Sequence, residues 1–142
     1  MATRGFEFAY DLIGQRPTYR DYPVTGTGGY DIGDAVVFAS GKLAKAANTV
    51  ATVSAIIQEY RESGDDGGLL KVAVVTKDQV WRCSSDGTTL TAALGARTQD
   101  IVDANTIDAD DATNGSLVVY DTAVDDAGNV LVYVTFANTT FG

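Results

Sequence analysis

The stretch Asp103-Ala104-Asn105-Thr106-Ile107-Asp108-Ala109-Asp110-Asp111 sets oxygen-bearing side chains at alternating positions, the donor type that calcium takes. The helix–loop–helix calcium pattern is not met. Ile107 falls at the fifth position, Asp108 replaces the glycine of the sixth, and no glutamate closes the loop. The stretch reads as a solvated acidic loop, and no metal is expected. Gly26-Thr27-Gly28-Gly29 is glycine-rich like a phosphate cradle, but such a cradle needs a strand before it and a helix N-terminus after it. Tyr30 to Asp34 lead instead into a strand, so a turn or hinge is expected. Cys83 would need a base to act as a nucleophile, and the chain has no histidine. It reads as a small buried apolar residue beside Trp81. Glu59, Glu62 or paired aspartates could do acid–base work, but no spacing singles out a pair. Trp81 could stack on a sugar, although its place on an alternating strand fits a core position.

Composition narrows the field further. The chain has 142 residues, a length suited to one domain with a real core, and 45% of them are apolar. The formal net charge is −9. Without histidine, neither a Cys/His zinc site nor a histidine-based triad is available. One cysteine excludes an intrachain disulfide. So acidic a chain is unsuited to nucleic acid backbone or anionic membranes, and no run is long and apolar enough to span a bilayer. The N-terminus lacks the pattern of a signal peptide, so synthesis in a reducing cytoplasm is expected. The charge is concentrated late: Arg97 is the last basic residue, and eight aspartates follow it. Such a block must face water or a basic partner.

The elements that must position these residues read as β. Ala35–Phe38, Leu69–Val75, Val80–Cys83, Leu117–Tyr120 and Val130–Phe136 are short, rich in branched residues, and punctuated by Gly, Asn, Asp and Ser. Val80–Cys83 alternates, with Trp81 and Cys83 on one face and Val80 and Arg82 on the other. Val130–Phe136 is apolar on both faces, as for a strand covered twice or placed at a subunit contact. Leu43–Tyr60 fits a helical stripe, but its Thr, Val and Ile content leans towards strand over Val50–Glu59. The expected fold is all-β, an antiparallel barrel or sandwich, with room for one short helix.

Residues 1–29 differ from the rest. They hold both prolines and the aromatics Phe6, Phe8, Tyr10, Tyr19 and Tyr22, and they end in the glycine cluster. In extended chain Phe6, Phe8 and Tyr10 share one face. This segment is expected to be an extended N-terminal arm whose rings are covered by another molecule, with residues 30–142 forming the β-rich domain.

The segments GTGGYDIGDAVVF, GKLAKAANTVATVSAII, VAVVTKDQVWRCSSDGTT and LGARTQDIVDANTID, with the ending LVVYDTAVDDAGNVLVYVTFAN, cover residues 26–138 in order. In this succession the chain resembles the head decoration, or cement, proteins of tailed bacteriophages. The resemblance implies a noncatalytic β-rich protein without cofactors on the outer surface of the capsid. There it would tie neighbouring major capsid proteins together, as a homotrimer or homodimer, and its arm would carry the capsid contacts (Phe6, Phe8, Tyr10, Tyr19 and Tyr22). Alternative functions open to the sequence are a glycan-binding module of a tail fibre or adhesin, a head-to-tail connector component, a small carboxylate enzyme and, against its length, a major capsid protein.

Overall fold

The computed structural model describes residues 5–47, 52–85, 100–104, 106–108, 117–124 and 130–141. Among them there are eleven strands and no helix: β1 Glu7–Asp11, β2 Thr18–Pro23, β3 Ala35–Ala39, β4 Lys42–Lys45, β5 Ala55–Ile57, β6 Leu69–Val74, β7 Gln79–Ser84, β8 Asp100–Asp103, β9 Thr106–Asp108, β10 Leu117–Val124 and β11 Val130–Phe136. A four-stranded antiparallel sheet has the order β1-β7-β11-β10, and a five-stranded one β2-β6-β5-β3-β4. β8 and β9 form a separate hairpin. The two large sheets make a sandwich. The barrel alternative does not form: among the described residues neither sheet closes on itself. Where the chain leaves β2, Val24 makes an isolated parallel bridge to Leu43 of β4.

Alternation along the strands explains two apolar clusters. Ala35, Ile56 and Ala73 of the five-stranded sheet face Trp81, Cys83, Val119, Val132, Val134 and Phe136 of the other, and together they fill the space between the sheets. Their neighbours Val36, Ala55, Ile57, Leu70 and Val72 point the opposite way and pack with Val24, Tyr30 and Leu43. The five-stranded sheet is thus apolar on both faces, since the chain leaving β2 folds back over its outer side. Of the ambiguous segment Leu43–Tyr60, the described part is extended: Leu43 lies in β4, Val53 bridges to Thr139, and Ala55–Ile57 form β5. The β-branched content outweighs the helical stripe where Val53, Ile56 and Ile57 are fully buried.

The leader is not a free arm. β1 pairs with β7 over Glu7–Asp11, and β2 pairs with β6 over all six of its residues. Residues 5–29 therefore contribute a strand to each sheet. The expectation of an arm took the aromatic rings to lack cover within the chain. The cover comes from strands far away in sequence. Entry into β1 is fixed by a backbone crossing in which the Phe6 amide donates to the Gly33 carbonyl at 2.7 Å. A Cβ on Gly5 would lie 2.8 Å from Gly33 backbone, and both residues have positive φ, 78° and 98°. Only glycine fits both positions.

Candidate interaction surface

The five aromatic residues of the leader have five different environments. Phe6 is 2% exposed, and its ring lies 5.2 Å from that of Phe136 in the core between the sheets. Phe8 packs edge-on against Trp81 at 5.5 Å. Tyr10 does not join them: the register shifts between Phe8 and Tyr10, so Ala9 is the extra residue of a β-bulge and Tyr10 turns to the outer face opposite Val80. Tyr19 is exposed on the edge strand β2, with the Lys71 ammonium 6.0 Å from its ring centre. Tyr22 is half-buried in a trio with Phe38 at 5.3 Å and Phe141 at 6.3 Å. Phe6 is thus a core residue, and Phe8 is a partly buried ring packed against the core. Tyr10 and Tyr19 remain available to a partner.

The outer face of the four-stranded sheet gathers side chains that strand alternation alone would not bring together. Register places Glu7, Arg82, Tyr133 and Asp121 in one row across β1, β7, β11 and β10. A second bulge, between Val119 and Asp121, makes Tyr120 the extra residue there. Strict alternation after the buried Leu117 and Val119 would have driven the Asp121 carboxylate into the core, and the bulge returns it to water. Tyr10 and Tyr120 are 43% and 45% exposed and meet edge to face at 6.2 Å, with an interplanar angle of 69°. Val80, on the same face, is completely buried.

One pair of opposite charges on this face is matched. The Arg82 guanidinium donates to the Glu7 carboxylate at 3.1 Å. Its pKa is raised further above its already high ordinary value by a hydrogen bond with Tyr133 and by Glu7. Tyr10 titrates above the usual phenol range, first because its surroundings desolvate the phenolate, and then because Tyr120, Asp121 and Tyr133 oppose a second negative charge.

At one end of the sandwich the turn after β1 holds out two aliphatic side chains. Leu12 and Ile13 are exposed, Ile13 to 64%. The turn is pinned: the Leu12 amide donates to the Asp78 carbonyl at 2.8 Å, and the Ile13 amide donates to Asp11 Oδ1 at 2.8 Å. Beneath it a cavity of about 230 Å³ opens between the sheets, lined by Asp11, Arg16, Thr18, Thr76 and Asp78 among others. Its wall includes the buried Gln79, whose Oε1 accepts from the Thr76 amide and the Trp81 indole, both at 3.1 Å, while Nε2 donates to the Val74 carbonyl at 3.0 Å. A chemistry of paired carboxylates would have to use Asp11 and Asp78 here, with the Asp11 carboxylate already accepting a hydrogen bond from the turn.

Trp81 is fully buried, so it is not a sugar platform. Cys83 is buried beside it in the same cluster. The Gly26–Gly29 segment is a turn stapled from within. Arg61 donates to the carbonyls of Gly28, Asp65 and Gly26 at 3.0, 3.0 and 2.9 Å, with its guanidinium 5.4 Å from the Tyr30 ring centre. The Gly26 amide is taken by Asp66. Glycine is required at Gly29, where a Cβ would sit 2.9 Å from the Glu62 carbonyl oxygen. Of the acidic stretch 103–111, Asp103 lies in β8 and Thr106–Asp108 form β9, while Asn105 and residues 109–111 lie outside the described residues. No group of three or more Cys, Asp or Glu is placed to hold a metal among the described residues.

Sequence reasoning missed the outer-face set. The alternation of Val130–Phe136 carried part of the signal, since it puts Leu131, Tyr133 and Thr135 opposite the buried Val132, Val134 and Phe136. The two bulges left no comparable signal. Fold and surface together define an all-β sandwich with a tyrosine-bearing outer sheet face and an aliphatic tip. No family model, no curated protein and no solved structure matches the chain.

Proposed function

We propose that this chain is a noncatalytic head decoration protein of a tailed bacteriophage, bound to the outer surface of the capsid and holding neighbouring major capsid proteins together. The succession of segments over residues 26–138 supports this reading, as does the acidic composition, which suits a surface turned away from packaged nucleic acid. The observation that carries the contact itself is the pinned turn bearing Leu12 and Ile13. Exposed aliphatic side chains on a rigid turn lose little entropy when a partner covers them. The leader therefore acts as part of a rigid body and not as a tether. Tyr19 extends the contact along β2, whose outward backbone groups can take an added strand.

A clamp of this kind binds the assembled lattice better than its separated subunits and so stabilises it by mass action, with many copies adding avidity. Three-fold or two-fold association of the chain fits the symmetry of such lattices. The test has two arms. Quantitative mass spectrometry of virions should give copies comparable in number with the major capsid protein; a count matching the single portal vertex would make the chain a connector component instead. Purified protein should bind expanded, undecorated heads, and the Leu12→Asp/Ile13→Asp variant should lose that binding at unchanged melting temperature. If the intact chain fails to bind heads the function is refuted; if the doubly substituted chain binds normally, the tip is not the contact.

A further inference from the structure

We propose that the outer face of the four-stranded sheet is a binding site for uncharged carbohydrate, formed by Tyr10, Tyr120, Tyr133, Arg82 and Glu7. Tyr10 and Tyr120 are close to half exposed and stand edge to face at 6.2 Å, so their rings form an open corner on a sheet that holds them from beneath. The axial C–H groups of a pyranose ring are weakly positive and pack on the electron-rich face of an aromatic ring. The second ring of the corner then borders the sugar and limits how it can turn.

The polar groups are placed to read hydroxyls. Arg82 and Glu7 are joined at 3.1 Å, and Tyr133 is the register partner of Arg82 on β11. Arg82 and Glu7 keep capacity beyond that bond, because a guanidinium has five donors and a carboxylate four acceptor positions. An alternating row of acceptor, donor and hydroxyl suits neighbouring sugar hydroxyls, each of which both donates and accepts. Tyr133 and Asp121 are register partners, so a further carboxylate stands at the end of the row.

Charge decides among ligands that stack on tyrosine. Nucleic acid bases would do so, but a chain of net charge −9 with Glu7 and Asp121 at the site repels their phosphates. Acidic sugars are disfavoured for the same reason. Among the described residues, the cation on this face, Arg82, is already paired with Glu7. Neutral hexoses and N-acetylhexosamines remain.

Both bulges lie on the edge strands β1 and β10, and both present polar or amphipathic side chains on this one face. Bulges also blunt edge strands against aggregation. That role by itself does not explain why the two tyrosines meet.

The test is an array of neutral oligosaccharides ending in glucose, galactose or N-acetylglucosamine, probed with the full chain. The strongest binder is then titrated by calorimetry. Binding is expected, and Tyr120→Ala or Tyr10→Ala should weaken it roughly tenfold, the size of one lost stacking contact. Tyr120→Phe keeps the ring and should retain most of the affinity, which separates stacking from misfolding. Absence of binding to every saccharide overturns the proposal, as does binding that both alanine variants retain. Light scattering on the same samples covers the rival outcome: if the alanine variants change the oligomeric mass and no saccharide binds, the face is a protein contact and the proposal fails. None of these results depends on whether the chain binds capsids.

Discussion

At the scale of single residues, burial turns ordinary side chains into structural requirements. Gln79 is the clearest case. Its amide satisfies the Thr76 amide, the Val74 carbonyl and the indole of the fully buried Trp81. Gln79→Leu should cost about 2–4 kcal/mol in urea unfolding, since it leaves several buried polar groups unpaired. A loss below about 1 kcal/mol would mean that water reaches them. Gly33→Ala meets two penalties at once, a φ of 98° and a Cβ 2.9 Å from the Gly5 Cα. It should destabilise by about 1–3 kcal/mol, read as a lower melting temperature, whereas Gly14→Ala, with open space around it, should suffer only from its backbone angle. Tyr10 should ionise later than a free tyrosine when followed by absorbance in alkaline solution, and Tyr120→Phe should bring it part of the way back. The linkage has a definite sign. A folded pKa raised above the unfolded value gives stability that is present below the unfolded pKa and lost as pH rises through the folded one, so this contribution fades only in alkali.

At the scale of elements, the contacts that matter join segments far apart in sequence. Asp66, in the turn before β6, accepts from Lys42 of β4 at 2.8 Å and from the Gly26 amide at 2.8 Å. The Lys42 hydrogen bond and then the Gly26 amide hold its carboxyl below the usual carboxylate range. A lowered folded pKa gives stability that is present above the unfolded pKa and lost as pH falls through the folded one. Asp66→Asn should therefore flatten part of the acid limb of a stability–pH curve, and an unchanged curve would show that solvent screens the pair. The C-terminal segment is a second such contact. The Asn138 carbonyl accepts from the Val53 amide at 3.2 Å, Thr140 and Ser54 hydroxyls meet at 2.7 Å, and Phe141 covers Tyr22 and Phe38. Truncation after Ala137 should cost about 2–3 kcal/mol from the lost hydrogen bonds and ring burial, with calorimetry as the check.

At the scale of the whole molecule, the leader is a shared component of both sheets. Removing residues 1–23 takes away β1 and β2 together with the buried Phe6. The remainder should lose its cooperative thermal transition; a fragment that melts sharply near the full-length temperature would restore the picture of an independent arm. Strand character, the turns at Gly, Asn and Asp, and the inward face of Trp81 and Cys83 were legible in the sequence because alternation and turn chemistry act within a few residues. The same local logic placed Phe6, Phe8 and Tyr10 on one face and foresaw nothing to cover them. A one-residue bulge at Ala9 undid the first inference, and pairing of β1 with β7 across some seventy positions of chain undid the second. By itself the sequence determined the class of fold, the acidic character and the absence of histidine chemistry, all properties of composition and short-range pattern. Which aromatics are core and which face water, and that tyrosines from β1 and β10 meet beside Arg82, was decided only by tertiary structure, because long-range register and bulges leave no local trace.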